Sequence, residues 1–437
     1  MNDEVRALFP GSCEQVYLNV AARGLVPETV REAASEYLDD CVRGTSDKDA
    51  LRVRVDETRA ALAALIGADA DEVAITKNVS EGLNLFSASL PWREGDNVVL
   101  CPELEHPNNI YLWYNLERLR GIEVRAIPPE DGRMPVGAMV EAMDERTRVV
   151  TFPSVSFAPG FVTDVPALVA GARRVGALTL LDAAQSIGAL QTDVCALGVD
   201  ALAVATQKCM LALYGFGFLY VRREVAEQLI PVHVARYGID LGDAHETAFE
   251  EGDLTYQPGA RRFDIGNYNY LGATAAQVVL EFIAEIGVEA IENHVCGLGA
   301  RLATGLRELG LPVVGGEPGA DLAHIVSVGQ IGGGRYYTAD DPAMSELYEH
   351  LTANRVRLAI RSGVLRFSIG VYNNDADVER VIELSRQVSE VPSRGVAGET
   401  QASRAAKSPR TRVIRLRTDE GAMSSSWPMS MDVRPST

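Results

Sequence analysis

Short apolar runs alternate with helical patterns from about Ala74 to Arg222, and this alternation limits the possible folds of the 437-residue chain more than any other feature. The run at residues 149–152, for example, is followed by a helical pattern at 165–174 and by a second run at 178–181. Strands that alternate with single helices favour a parallel sheet with helices packed on it. We therefore predict an α/β fold with a mostly parallel central sheet.

Two charged side chains lie at the ends of such runs. Asp182 follows residues 177–181, and Lys208 comes shortly after residues 201–204. The carboxyl ends of parallel strands are where open α/β sheets carry their function. A carboxylate there can keep a pyridinium nitrogen protonated, and a lysine can form a Schiff base with an aldehyde. The pair predicts a site for pyridoxal 5'-phosphate (PLP), although helix capping or surface charge explains either residue alone.

Motifs on both sides of this pair carry a resemblance to a known family. They lie at residues 17–21, 76–82, 105–109, 181–186, 206–209, 262–267 and 365–373. Together they span roughly residues 16–388 and resemble the class V aminotransferase family, which includes cysteine desulfurases, isopenicillin N epimerase, kynureninase and some transaminases. The resemblance implies the PLP-dependent, aspartate-aminotransferase-like fold, in which a large domain precedes a smaller α+β C-terminal domain.

The expected domain organisation follows from this fold and from the pattern of elements. We expect residues 1–30 to pack on the small domain, residues 31–272 to form the large PLP-binding domain, and residues 273–392 to form the small domain. Residues 393–437 hold eight Arg or Lys against four Asp or Glu and lack apolar periodicity. This composition predicts a disordered basic tail.

The resemblance assigns roles around the cofactor ring residue by residue. Lys208 corresponds to the Schiff-base lysine that also moves a proton, and Asp182 to the partner of the pyridinium nitrogen. His106 corresponds to the imidazole that stacks on the ring, and Gln185 to a donor to the phenolic oxygen. Lys208, Asp182 and His106 are therefore the predicted catalytic residues.

Other residues are expected to hold the cofactor phosphate. Asn78, Val79 and Ser80 correspond to the helix start at which free amides and the helix dipole attract an anion. Capping of their own helix is the alternative. The resemblance also implies a phosphate contact from Thr206, and a contact from Asn267 to the phosphate of the neighbouring subunit. The expected assembly is a homodimer with shared active sites, although relatives usually carry threonine in place of Asn267.

Two arginines are candidates for binding the substrate. Arg366 corresponds to the family residue that grips the α-carboxylate, for which the planar guanidinium is well suited. Taken alone, Arg366 is equally explained as a surface ion-pair residue. Arg23 either binds an acidic side chain of the substrate or points to solvent. Phe157 replaces an asparagine common in relatives, which makes the substrate side more apolar.

The departures from the family pattern bear on the reaction. Residues 356–366 contain no cysteine, whereas desulfurases carry a nucleophilic cysteine shortly before the carboxylate arginine. Cys209, beside Lys208, is interpreted as a packing residue. We therefore predict an aminotransferase acting on an α-amino acid. The alternatives are a β-eliminating lyase such as a C-S lyase, an isopenicillin N epimerase-like enzyme, or a PLP-binding sensor without catalysis.

Charge and cysteine usage exclude other classes of function. The net charge of −19 disfavours nucleic-acid binding by the folded part. The sequence shows neither a bilayer-spanning apolar stretch nor a signal peptide, so we expect a cytoplasmic protein with no membrane partner. Six widely spaced cysteines without a Cys-x-x-Cys pair argue against a disulfide framework and against a metal site.

Overall fold

A computed structural model describes residues 3–242 and 254–389. The helices are α1 (Asp3–Ala7), α2 (Pro10–Glu14), α3 (Glu28–Arg43), α4 (Lys48–Ile66), α5 (Val79–Ala88), α6 (Tyr111–Arg120), α7 (Val136–Glu141), α8 (Val165–Val175), α9 (Val194–Leu197), α10 (Arg223–Ala226), α11 (Tyr270–Ile286), α12 (Val288–Glu308), α13 (Pro342–Ala353) and α14 (Asp375–Ser389). The strands are β1 (Val16–Tyr17), β2 (Val73–Thr76), β3 (Asn97–Leu100), β4 (Glu123–Ala126), β5 (Thr147–Pro153), β6 (Leu178–Asp182), β7 (Ala201–Ala205), β8 (Gly217–Val221), β9 (Ile325–Gly329), β10 (Val356–Arg357), β11 (Ala359–Arg361) and β12 (Val364–Ser368). The predicted basic tail at residues 393–437 lies outside the described residues.

A seven-stranded sheet in the order β2-β8-β7-β6-β5-β3-β4 organises the first part of the chain. Strands β4, β3, β5, β6 and β7 run parallel, and β8 is antiparallel to both of its neighbours, β7 and β2. Every residue of β2, β3, β7 and β8 is buried, as expected for a sheet covered on both faces. The predicted α/β fold with a mostly parallel sheet is confirmed.

A three-stranded antiparallel sheet in the order β11-β12-β9 lies in the C-terminal part of the chain. The apolar stretch at residues 356–360 does not form one strand but is divided in two. Strand β10 pairs with β1 of the N-terminal segment, whereas β11 pairs with β12. Apolar patterning could not show this division because β10 pairs with a distant part of the chain, whereas β11 pairs locally. The division of the chain into domains at residues 30, 272 and 392 stays a prediction.

Helix α12 begins at Val288, directly after Gly287. Ile291, Val295, Leu298 and Leu302 form one buried stripe along this helix. The helical spacing of buried apolar residues therefore begins in the first turn after Gly287. Helices α11 and α12 meet at an angle of 83°. Within the described residues no single helix is long and apolar enough to cross a membrane, and only this bent pair meets the requirement jointly.

A buried ion pair fixes the segment that carries Asn267 against the central sheet. Arg59 and Asp264 lie 2.7 Å apart with both side chains almost fully buried. Asp264 also accepts hydrogen bonds from the Ile75 N–H and the Tyr268 hydroxyl, each at 2.8 Å. The carboxylate of Asp264 therefore joins α4, β2 and the segment that leads to Asn267.

For Asp264→Ala we expect a loss of about 3–5 kcal/mol in the free energy of unfolding, because the buried Arg59 loses its buried counter-charge and keeps only the partly exposed Asp56 at 3.4 Å. Urea unfolding followed by circular dichroism measures this quantity. Asp375→Ala is the matched control, since it removes an exposed ion pair with Arg301 whose contribution is at most about 1 kcal/mol. Equal losses in the two variants would contradict the stabilising role of the buried pair.

Candidate active site

Asp182 and Lys208 lie at the carboxyl ends of the adjacent strands β6 and β7. Asp182 is the last residue of β6, is 7% exposed, and accepts a hydrogen bond from the Ala184 N–H at 2.9 Å. Its register partner in β7 is Ala203, and the half-buried Lys208 follows that strand. Strand pairing therefore holds the carboxylate and the amine in neighbouring loops, as the sequence predicted.

Burial shifts the pKa values of both groups toward their neutral forms. It raises the pKa of Asp182 and lowers the pKa of Lys208. The attraction between the two charges opposes both shifts, whereas Arg366 adds to the lowering of the pKa of Lys208. A lysine whose pKa is lowered has more free amine at neutral pH, which suits a nucleophile and a base.

The N-terminal segment packs directly on the lysine loop. The Gly24 N–H donates to the carbonyl of Gln207 at 2.9 Å, and a Cβ atom at Gly24 would lie 2.5 Å from the carbonyl oxygen of Lys208. The amide Nε2 of Gln185 donates to the Ala21 carbonyl at 3.1 Å. The other amide atom, Oε1, is buried and has no partner among the described residues. Gln185 thus retains unused hydrogen-bonding capacity inside the cleft.

His106 lies at the open side of the same cleft. Its ring is edge-on to Phe157, with 5.7 Å between the centroids. Although much of the residue surface is exposed, the surrounding protein desolvates the ring. Desolvation and the positive charges of Lys208, Arg361 and Arg366 lower the pKa of this imidazole to about 4. Nδ1 accepts a hydrogen bond from the Asn108 N–H at 3.3 Å, so the neutral ring carries its proton on Nε2.

The start of helix α5 offers unoccupied amides. Asn78 caps the helix by accepting a hydrogen bond from the Glu81 N–H at 2.9 Å, so the capping role considered for it is present. In the described part of the chain, the N–H groups of Val79 and Ser80 have no hydrogen-bond acceptor. Free amides at the positive end of a helix dipole are available to a phosphate.

Two further candidates for phosphate binding make other contacts in the structure. The Thr206 hydroxyl lies 2.7 Å from the carbonyl of Leu213 and 3.1 Å from that of Phe216, so it must leave both to donate to a phosphate. Asn267 is exposed and accepts a hydrogen bond from the Tyr237 hydroxyl at 3.3 Å. It lines a cavity of about 310 Å³ together with Lys77 at the start of α5. The roles of Thr206 and Asn267 stay predictions.

Arg366 is a buried guanidinium with unused donors. The residue is 1% exposed and donates from Nη1 to the carbonyl of Phe157 at 2.9 Å. Its Nε and Nη2 atoms are also buried, and no described residue accepts from them. Burial lowers the pKa of Arg366, since water no longer solvates the charge. A ligand carboxylate would satisfy both donors and the charge.

Arg23 is exposed at the edge of the N-terminal segment. Its backbone carbonyl accepts a hydrogen bond from the Tyr17 hydroxyl at 2.8 Å. Among the described residues, the contacts of its guanidinium do not decide whether Arg23 binds an acidic side chain of the substrate or points to solvent. Its role in substrate binding stays a prediction.

Sequence reasoning gave no role to the buried acid beside His106. Glu105 is 2% exposed, and neither carboxyl oxygen has a partner within the described residues. Burial and the nearby charge of Asp182 raise the pKa of Glu105 well above its usual value, which favours the neutral acid. Its position next to His106, shortly after a strand, is the signal that could have identified it.

Cys209 and His324 form a second buried polar contact that the sequence did not reveal. The Cys209 Sγ lies 3.5 Å from the His324 Nε2, and burial raises the pKa of this thiol to about 12. A thiol with so high a pKa is a poor nucleophile, which agrees with the predicted packing role. Burial lowers the pKa of His324 to about 3.

The depressed pKa of His324 makes the fold sensitive to acid. The unfolded chain binds a proton near pH 6.5 and the folded protein only near pH 3, so stability falls as the pH falls between these values. His324 should contribute about 3 kcal/mol to the loss between pH 7 and about pH 4.5, so His324→Phe should lose about that much less than the wild type, while the contribution of His106 remains. Urea unfolding at both pH values measures the loss. His233→Gln at an exposed histidine is the control, and an unchanged loss in His324→Phe would contradict the prediction.

The assembled residues fit the cofactor predicted from the sequence. A buried carboxylate and a buried amine lie at adjacent strand ends, and a helix start with free amides can hold the phosphate. The uncompensated guanidinium of Arg366 can bind the substrate carboxylate. The charges of Lys208 and Arg366 both act on His106, and Phe157 contacts both His106 and Arg366, so these side chains lie close together.

Comparisons with known proteins show which family this chain resembles. Residues 16–381 match the family model described as Aminotransferase class-V. A probable cysteine desulfurase of Methanothermobacter thermautotrophicus is 34% identical over 298 residues, which are 67% of this chain and 72% of the relative. The uncharacterized aminotransferase YcbU of Bacillus subtilis is 30% identical, with coverage of 87% of this chain and 96% of the relative.

Solved structures show the same fold. The apo structure of a cysteine desulfurase from Thermococcus onnurineus NA1 superposes with a TM-score of 0.76 at 26% identity and covers 89% of this chain and 98% of its own. A variant of C-DES with glycine covalently linked to its PLP cofactor has a TM-score of 0.77 at 22% identity, with coverage of 88% and 99%. The second similarity bears on the fold alone.

Proposed function

This chain belongs to the class V aminotransferase family of PLP-dependent enzymes, and from that premise we propose that it is an aminotransferase acting on an α-amino acid. The observation that carries the proposal is the cleft shared by Lys208, Asp182 and Arg366. Arg366 supports it most directly, because a buried guanidinium with two unused donors requires an anionic ligand.

We assign each side chain one task. Arg366 binds the α-carboxylate and orients the Cα–H bond, and His106 offers a neutral ring as a flat surface for the cofactor. The carboxylate of Asp182 would keep the pyridine nitrogen of the cofactor protonated. When bound, PLP withdraws electrons from the substrate Cα. The amine of Lys208 removes the Cα proton and returns it, and the lowered pKa of this amine suits both transfers.

The C-terminal hairpin supports amino transfer over persulfide-forming desulfuration. Strands β11 and β12 are joined by Ser362 and Gly363, so the chain passes from Arg361 to Arg366 without room for a loop carrying a cysteine. Cys209, the cysteine next to Lys208, is 4% exposed and its pKa is raised to about 12. Neither site offers a thiolate nucleophile.

We also propose that two copies of the chain share their active sites. Asn267 is exposed beside the start of α5, and the buried Arg59–Asp264 pair fixes its segment. An exposed amide on a fixed segment is suited to reach the phosphate of a second subunit.

Single-turnover mixing with L-amino acids in the absence of a 2-oxo acid tests the proposed reaction. An aminotransferase yields one equivalent of 2-oxo acid per site, loses the visible absorbance of the bound cofactor, and stops. Continued release of ammonia or sulfide would identify a lyase instead. Accumulation of the opposite enantiomer would identify an epimerase, and no change with any amino acid would contradict an enzymatic role.

A further inference from the structure

Arg361 and Arg366 project from the same face of the β11-β12-β9 sheet. Antiparallel pairing places Ala359 opposite Arg366 and Arg361 opposite Val364. Residues directly opposite each other share a face, and so do alternate residues of one strand. The two arginines are therefore diagonal neighbours, about 7–8 Å apart at the backbone.

No carboxylate of the described residues pairs with either guanidinium. Arg361 is half-buried and donates from Nη1 to the carbonyl of its neighbour Ile360 at 2.8 Å. Its other close contact is the ring of Tyr337, whose centroid lies 4.8 Å away. The Nε and Nη2 donors of Arg366 are unused, as described above. Two like charges on one face without a counter-ion are a costly arrangement that an anionic ligand relieves.

The loop that carries Tyr337 is fixed on the turn of the β11–β12 hairpin. The Ser362 N–H donates to the Tyr336 carbonyl at 2.9 Å, and the Gly363 N–H donates to the Thr338 carbonyl at 3.1 Å. Gly363 has a φ of +96°, and a Cβ atom there would lie 2.5 Å from the carbonyl oxygen of Gln330. Glycine is therefore required for this close approach, which holds the Tyr337 ring against Arg361.

We propose that Arg361 and Tyr337 form a second anion subsite beside Arg366, which selects α-amino acids whose side chain ends in a carboxylate. The inference rests on the proposed function, because it takes Arg366 to be occupied by the α-carboxylate. The matching 2-oxo diacid is then the amino acceptor. Tyr337 shields one face of the Arg361 guanidinium from water and leaves its donor edge for the ligand.

The charges around the subsite favour an anion over other side chains. Lys208, Arg361 and Arg366 all act on His106, and that imidazole is itself neutral. Phe157, on the other side of the His106 ring, is apolar. A cationic side chain would be repelled by both arginines, and an apolar one would leave Arg361 without a partner.

Calorimetric titration of the PLP-loaded full chain with unreactive acids tests the subsite. We expect succinate and glutarate to bind about 10- to 100-fold more tightly than propionate and butyrate, since a second charge-assisted contact is formed. Arg361→Gln removes this preference and leaves the affinity for the monoacids unchanged. Tyr337→Leu reduces the preference. Tyr336→Leu, on the same loop with 81% exposure, is the matched control and has no effect.

The outcomes separate this inference from the proposed function. Equal affinity for diacids and monoacids overturns the inference, as does a preference that survives Arg361→Gln. If the preference for diacids is lost in Arg23→Gln but kept in Arg361→Gln, the second carboxylate binds at Arg23. That result also overturns the inference. In each of these cases loss of monoacid binding in Arg366→Met still supports the proposed function. Failure of the protein to bind any of the acids overturns both.

Discussion

Replacement of Lys208 by alanine is expected to lower kcat by at least about 10³-fold, because the same amine serves as nucleophile and as proton carrier. Steady-state turnover of the amino acid identified in the single-turnover experiment measures the effect. The fold should persist, since Lys208 is only half-buried and, within the described residues, makes no hydrogen bond that joins distant elements. Circular dichroism and a thermal melt of the variant check this point.

Lys208→Arg is the informative companion to the alanine variant. Arginine keeps the positive charge beside Asp182 but remains protonated, so it neither attacks an aldehyde nor accepts the Cα proton. We therefore expect it to be as inactive as the alanine variant. Activity near the wild-type level in either variant would show that the lysine is not the reacting group.

Arg366→Met is expected to change activity and stability in opposite directions. Its kcat/KM should fall roughly 100-fold or more, since two hydrogen bonds to a carboxylate are lost. The free energy of unfolding of the ligand-free protein should rise by about 1–3 kcal/mol, because a buried charge with unsatisfied donors is replaced by an apolar side chain of similar length. Urea unfolding and steady-state kinetics measure the two effects.

Arg386→Met is the matched control for this variant, since Arg386 is partly exposed and, within the described residues, forms its ion pair with the exposed Glu383. Arg386→Met should change neither kcat/KM nor the free energy of unfolding by a measurable amount. If Arg366 stabilised the fold rather than binding a ligand, its replacement would lower the stability and the activity together. That result would remove the main support for substrate binding at this position.

Local sequence patterns sufficed to predict the strand ends at which Asp182 and Lys208 lie. The runs at 178–181 and 201–204 differ from β6 and β7 by one residue each. Buried parallel strands are continuous apolar segments, so their ends show in the sequence as the first polar residues. The fold and the cofactor could therefore be predicted from nearby residues.

Contacts between distant parts of the chain were not predictable in the same way. The Tyr337 ring meets Arg361 because backbone hydrogen bonds hold two loops together, and the sequence carries no local sign of this. The Thr206 hydroxyl is engaged by two carbonyls further along its own loop between β7 and β8, which the resemblance to relatives could not show. Glu105 reads as a charged loop residue, yet tertiary packing buries it. These details depend on the assembled structure.

Borohydride reduction of the PLP-loaded protein, followed by peptide mass spectrometry, tests the attachment of the cofactor most directly. We predict one cofactor per chain, attached to the peptide that contains Lys208, and no attachment in Lys208→Ala. Attachment at another lysine such as Lys77, or no attachment at all, would contradict the assignment of this cleft as the active site.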